Sequence, residues 1–329
     1  MGVEFVKLKN KKGMEMEISN YGATLISLKV PTLENRQVNV VAGLQSPDVY
    51  AQESYQRHNL FLGASIGRYA GRISNGTFVL EDHVYQLDER DGVHLHGGKQ
   101  GFDKRTWVFE KVSHRANPFA ILSYHSKHME GNYPGEVDVE VKYQLLETNA
   151  VKITYSATTD RPTVLNLTHH SYFNLNGHGS VLNHLLRIHS EKYLIVDPSL
   201  LPTGKIAPVK DTRYDYRTMS KIGKQGFAGL DDTFVRSKTL LAASMWSRDS
   251  GIYMKIFTNQ PAMVIYTPPQ FPNLNFAQGA SYDKYPAICF ETQNFPDAPN
   301  KPHFPSSVLL PGMRYLNETV FDFSSKPTL

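Results

Sequence analysis

The chain has 329 residues, 40% hydrophobic and 20% charged, which is enough apolar mass to bury a large core and excludes wholesale disorder. Its 35 Lys and Arg against 31 Asp and Glu leave a formal charge of +4, with no basic stripe of the kind that binds nucleic acid. No apolar run reaches eighteen residues, so a helical membrane span is not expected.

In chain order, the start Met1-Gly2-Val3-Glu4-Phe5-Val6 lacks an apolar export segment, and Val6 breaks the acylation pattern that wants Ser or Thr there. With a single cysteine, Cys289, flanked by Ile288 and Phe290, no intramolecular disulfide is possible and a buried thiol in a reducing cytoplasm is expected. Thr24 to Val30 reads as a strand. Ser46-Pro47-Asp48 carries an N-cap residue followed by proline, the main helix signal in the chain, but the segment behind it is short. One or two small helices at most are expected.

Phe78-Val79-Leu80 and Val84-Tyr85-Gln86-Leu87 read as a hairpin closed by Glu81-Asp82-His83. Phe119 to Tyr124 is strand-sized. The clearest period is two: Val137, Val139, Val141, Tyr143 and Leu145 alternate with polar residues, and after Glu147-Thr148-Asn149 the alternation resumes at Val151, Ile153, Tyr155 and Ala157. Tyr253 to Phe257, Met263 to Tyr266 and Ala287 to Phe290 add further strands. Many short strands between Gly, Pro and Asn turns predict an all-β protein, a large antiparallel β-sandwich spanning 1–329 as one domain.

Four of the thirteen histidines fall in two groups, His94-Leu95-His96-Gly97-Gly98 and Thr168-His169-His170-Ser171. Residues two apart on a strand share a face, so His94 and His96 could ligate a metal, but no carboxylate follows before Asp103 and the metal reading is disfavoured. Glu291 follows the apolar Ala287-Ile288-Cys289-Phe290, where a buried strand emerges; such a carboxylate is either a turn or ion-pair group or a general base. Gly67-Arg68-Tyr69-Ala70-Gly71-Arg72 has too few glycines for a nucleotide loop, and its two arginines suit either sugar hydroxyls or salt bridges. Asp231-Asp232 after Gly229-Leu230 can accept from hydroxyls or simply form a turn.

Taken in order, four blocks resemble the aldose 1-epimerase, or galactose mutarotase, family over nearly the whole chain. They are Gly67 to Ile73, Leu95-His96-Gly97-Gly98 with Gly101-Phe102-Asp103-Lys104, Asn166 to Leu175, and Glu291-Thr292-Gln293-Asn294-Phe295-Pro296-Asp297. Asp197-Pro198 to Gly204 and Gly229 to Asp232 are also family-like.

The resemblance implies interconversion of α and β hexose anomers, with galactose, glucose or maltose as substrate and neither metal nor organic cofactor. It implies Glu291 as general base, His170 as general acid and His96 as a second catalytic histidine. Gly71, Arg72, Tyr172 and Asp231 are implied as sugar contacts, in a monomer or homodimer without nucleic-acid or membrane partners. Glu291 is expected ionised, and His170 shifted modestly upward so that it can donate a proton. The chain departs from the family pattern at Gly71 and His169, where Asn is common, and at Val264, where some members have Gln; the departures bear on sugar preference. The competing functions are a glycoside hydrolase using Glu291 and Asp231, and a non-catalytic sugar-sensing module.

Overall fold

The strand Val137–Leu146 places Val137, Val139, Val141, Tyr143 and Leu145 inward, each at most 1% exposed, while the residues between them face out. It pairs in register with Ala150–Thr159 across the turn at 147–149, as the alternation predicts. A one-residue slip would turn this whole row into water, at roughly 1.5–3 kcal/mol for each large apolar side chain.

These strands belong to a nine-stranded antiparallel sheet ordered Val108–Ser113, Phe119–Ser126, Val137–Leu146, Ala150–Thr159, Tyr315–Ser324, Tyr253–Thr258, Leu241–Trp246, Leu185–Ile188 and Ser220–Lys221. A six-stranded sheet runs Tyr172–Phe173, Ile288–Gln293, Ala262–Tyr266, Asp231–Val235, Lys192–Val196 and Pro202–Pro208. One continuous core joins Val139, Ile153 and Phe321 of the first sheet to Phe234, Ile265, Ile288 and Phe290 of the second. The computed structural model describes residues 2–34, 36–58 and 60–325.

Thr77–Leu80 and His83–Gln86 form the predicted hairpin, tightened to a two-residue turn by positive φ at Glu81 and Asp82. Among the described residues the α-helix content is one turn, Glu53–Gln56, preceded by the 3₁₀ turn Pro47–Ala51 at the predicted Ser-Pro start. The architecture is the expected antiparallel β fold with little helix.

The strand Ile288–Gln293 is buried on both sides, which is why its sequence is a continuous apolar run rather than an alternation. Ile288 and Phe290 enter the core between the two sheets. Cys289 points to the other face, into a separate cluster with Ile26, Leu44, Tyr50, Tyr55 and Tyr172. Glu291 and Gln293, two and four residues on, share that second face.

Candidate active site

Glu291 sits in the middle of its strand, not at an emerging end. Thr292 and Gln293 are still buried, and the strand pairs with Ala262–Tyr266 as far as Ala262 opposite Gln293. The same register sets Glu291 beside Val264, and Val264 beside Thr233, so three strands present one row of side chains.

On its other side the strand pairs with Tyr172–Phe173, with Tyr172 opposite Cys289. Continuing that antiparallel register by two residues brings position 170 opposite 291. The backbone there is tied down independently, since His170 N–H donates to the Ala64 carbonyl and Gly63 N–H donates to the His170 carbonyl, both at 3.0 Å. As a result Nε2 of His170 lies 3.5 Å from Oε1 of Glu291, with both side chains buried.

His96 arrives from a different part of the chain. Arg72–Ser74 pairs with Val93–Leu95, Arg72 opposite Leu95, and immediately afterwards His96 adopts φ 52°. Gly97 follows at φ 82°, where a Cβ would lie 1.9 Å from the Gly67 carbonyl oxygen, so only glycine fits. The turn delivers the His96 ring edge-on to His170, with ring centroids 5.4 Å apart. It also breaks the strand alternation, which separates His96 from His94. The nitrogens of His94 are engaged elsewhere, Nδ1 with the Asp88 carbonyl and Nε2 with the Tyr133 hydroxyl, so no His94–His96 metal pair exists.

A cleft with about 390 Å³ of empty space opens beside Glu291 and His96. Gly71, Arg72 and Asp231 line it together with Leu200, Thr233 and Val264. Arg72 and Asp231 are joined at 3.2 Å and both remain partly exposed, which leaves donors and acceptors for hydroxyl groups. Among the described residues, Oε2 of Glu291 is buried without a hydrogen-bond partner.

Burial reverses part of the expected ionisation. Desolvation and the neighbouring Asp231 charge push the Glu291 carboxyl up to about 8, opposed by Arg72. Desolvation drives His170 down to about 4 rather than upward. The two groups face each other, so between these limits the pair holds a single proton that can sit on either partner at the same net charge. His96 is also held well below its ordinary value, by burial and by the adjacent His170.

The tautomer of His96 follows from its neighbour. Gly71 N–H donates to Nδ1 at 3.2 Å, so the ring proton of neutral His96 must sit on Nε2. The imidazole is a fixed donor toward the cleft. His96, His170 and Glu291 bring three ligand atoms within 4.8 Å of one another, close enough for a cation. Metal binding through His96 Nε2 would place a proton on Nδ1 directly against the Gly71 N–H, so the donor set fits a metal poorly.

The other candidates separate clearly. Gly71 is on the cleft wall at φ 84°, where a Cβ would meet Gln293 Nε2 at 3.0 Å and Pro296 at 3.1 Å, so glycine relieves both a left-handed backbone and a tight contact here. Tyr172 is buried behind His170, ring centroids 5.0 Å apart; neither of the two lines the cleft itself, but His170 reaches it through its contact with Glu291. Arg68 is structural: its guanidinium donates to Ser126 Oγ and to the carbonyls of Ser126, Lys127, Pro134 and Gly135. His169 projects to the opposite side, its ring edge on Tyr143, so this departure does not touch the cleft. Phe61 escaped the sequence reading. Its ring packs on both His96 and His170 from a backbone at φ 56°, and nothing in its local sequence signals this.

The family model for aldose 1-epimerase matches residues 4–322. The chain belongs to the aldose 1-epimerase family. It is 34% identical to the aldose 1-epimerase of Escherichia coli K12 over 338 aligned positions, covering 96% of this chain and 94% of that enzyme. It is 38% identical to the galactose mutarotase of Sus scrofa, covering 94% and 91% of the two chains. Among solved structures, an aldose epimerase homologue from C. elegans superposes with a TM-score of 0.89 at 29% identity, over 98% of this chain and 99% of that one. This aldose 1-epimerase family member is therefore an isomerase, which sets aside the hydrolase and the non-catalytic sensor. No helix among the described residues is long and apolar enough to cross a membrane.

Proposed function

We propose that the enzyme opens and recloses the ring of free hexoses, galactose and glucose first among them, with Glu291 and His170 exchanging one proton with the sugar. The observation that carries this reading is the buried pair at 3.5 Å beside a cleft rimmed by Arg72 and Asp231.

With the pair's proton on His170, the Glu291 carboxylate removes the hydrogen of the anomeric hydroxyl. The electrons of that O–H bond form the C1 carbonyl, the bond from C1 to the ring oxygen breaks, and His170 Nε2 protonates the departing oxygen. The pair is left as carboxylic acid and neutral imidazole, the arrangement that burial favours. Rotation about C1–C2 exposes the other carbonyl face, and the reverse transfers close the opposite anomer. No proton is gained or lost over the cycle, and the acid–base pair calls for no metal or organic cofactor. His96, a donor through Nε2, stabilises charge growing on a sugar oxygen. Arg72, Asp231 and the wall at Gly71 position the hydroxyls, while Tyr172 supports His170 from behind.

Residues 1–329 act as one catalytic domain in this reading. The single buried cysteine fits a cytoplasmic enzyme.

The test is polarimetry of freshly dissolved α-galactose, α-glucose and maltose in a weakly catalytic buffer. Faster approach to an unchanged final rotation is expected, ranked by sugar preference. No acceleration for any sugar, with binding still measurable by calorimetry, would overturn the reaction.

A further inference from the structure

The chain has one cysteine, and it is inside the catalytic group. Sγ of Cys289 lies 3.7 Å from Nδ1 of His170, and Tyr172 packs in the same buried cluster as the thiol. The register explains the cluster. Tyr172 is opposite Cys289, and positions 170 and 291 lie two residues further along their strands, so His170, Tyr172, Cys289 and Glu291 meet on one face.

Two features decide what the sulfur does. Burial, with the nearby Glu291, keeps the thiol protonated, so it meets its neighbours as a neutral group with one S–H donor and lone pairs that accept weakly. His170 faces Glu291 through Nε2. For a neutral imidazole to accept a proton at Nε2 and return it, the other ring hydrogen must stay on Nδ1, and Nδ1–H then needs an acceptor. At His96 the group facing Nδ1 is a backbone N–H, which forbids a proton there; at His170 it is a sulfur, which can accept one.

We propose that Cys289 is a positioning residue whose sulfur accepts the Nδ1–H of His170, holding the tautomer whose Nε2 exchanges protons. This rests on the reading of His170 as the proton-exchanging histidine. The thiol takes no part in bond making or breaking, and its conservative replacement is serine, which also accepts.

The experiment compares wild type, C289A and C289S by ¹⁵N NMR of histidine-labelled protein, the His170 signals assigned by their loss in H170Q, together with polarimetric kinetics. In wild type, a protonated Nδ1 and a bare Nε2 are expected at neutral pH. In C289A, His170 should shift toward the Nε2–H tautomer and kcat should fall roughly tenfold with KM little changed. In C289S both the tautomer and most of kcat should return. A wild-type His170 carrying its hydrogen on Nε2 overturns the proposal, as does a C289A enzyme with unchanged tautomer and kcat. If C289A does not accumulate as folded protein, the wild-type spectrum decides alone. A protein with the Nδ1–H tautomer but no mutarotation would refute the proposed reaction and leave the positioning role standing.

Discussion

His96 and His170 present their rings to each other 5.4 Å apart, both buried and both driven toward the neutral form, yet the chain prepares them for opposite tasks. His96 is held by a glycine turn and a backbone N–H on Nδ1, so its hydrogen is locked on Nε2 and it can only donate. His170 is held by a sheet register that sets it across from Glu291 and backs it with sulfur, leaving Nε2 free to gain and lose a proton. Burial alone does not assign a histidine its role. The atom opposite its second nitrogen does.

The sharpest way to break the comparison is to remove the proton exchange. E291Q and H170Q should each fold normally by circular dichroism yet lose about 10²- to 10⁴-fold in kcat by polarimetry, the usual contribution of a positioned acid or base. The double variant should be little worse than either single one, because the two groups act as one unit. Near-wild-type turnover in either single variant would remove the pair from the mechanism.

The same glutamine at the other histidine should behave differently. H96Q keeps an N–H donor near the position of Nε2, so a loss of roughly tenfold is expected, well short of the ~10²–10³ typical when such a donor is deleted. H96A should reach that larger loss. Equal damage from H96Q and H170Q would show that His96 also exchanges protons.

The shared proton predicts the pH profile. With His170 titrating at about 4 and Glu291 at about 8, kcat/KM should be flat between those limits and fall beyond them as the pair gains or loses its proton. In H96Q the same plateau should persist at lower height, since burial already holds His96 toward its neutral form.

Stability should respond as well. The folded value for Glu291 lies above its ordinary 4.5, so its contribution is fully present below pH 4.5 and is lost as pH rises through about 8. E291Q, which has no charge to bury, should therefore melt increasingly above wild type from pH 5 to pH 9, by up to a few kcal/mol on a scale of about 1.4 kcal/mol per pH unit. A melting difference independent of pH would mean that the carboxyl is not desolvated as described.

The contrast between the histidines was only half legible in the sequence. Period-two patterning found the long hairpin Val137 to Ala157, because one face of it is wet. It misplaced Glu291 at a strand end because a strand buried on both faces has no alternation to follow. The four family-like blocks marked His96, His170, Glu291 and Arg72, and the family-like Gly229 to Asp232 marked Asp231. Ionisation could not be read there, since the direction of a shift depends on burial that only the packed sheets create. Cys289 was correctly read as buried, but its contact with His170 is a register effect between segments more than a hundred residues apart. Phe61 gave no signal because its placement depends on a local backbone conformation that its own residue type does not favour.

His169 provides the smallest and most selective test, being the neighbour of His170 that the strand turns away. Both of its ring nitrogens are buried, and burial with the neighbouring His170 lowers it to about 3, opposed by the Gly63 backbone. Since the folded value is depressed, its contribution is present above the ordinary 6.5 and is lost as pH falls toward 3. Leucine cannot charge, so H169L should match wild type in melting near pH 7, where a lost edge contact with Tyr143 offsets the removal of two buried polar nitrogens. Below pH 6 it should pull ahead, by up to about 2–3 kcal/mol near pH 4.5 on the same scale. Its kcat should be unchanged, because the side chain lies on the face away from Glu291. A fall in kcat comparable to that of H96Q would show that the two faces of this segment are coupled, and that the division of labour extends to a third histidine.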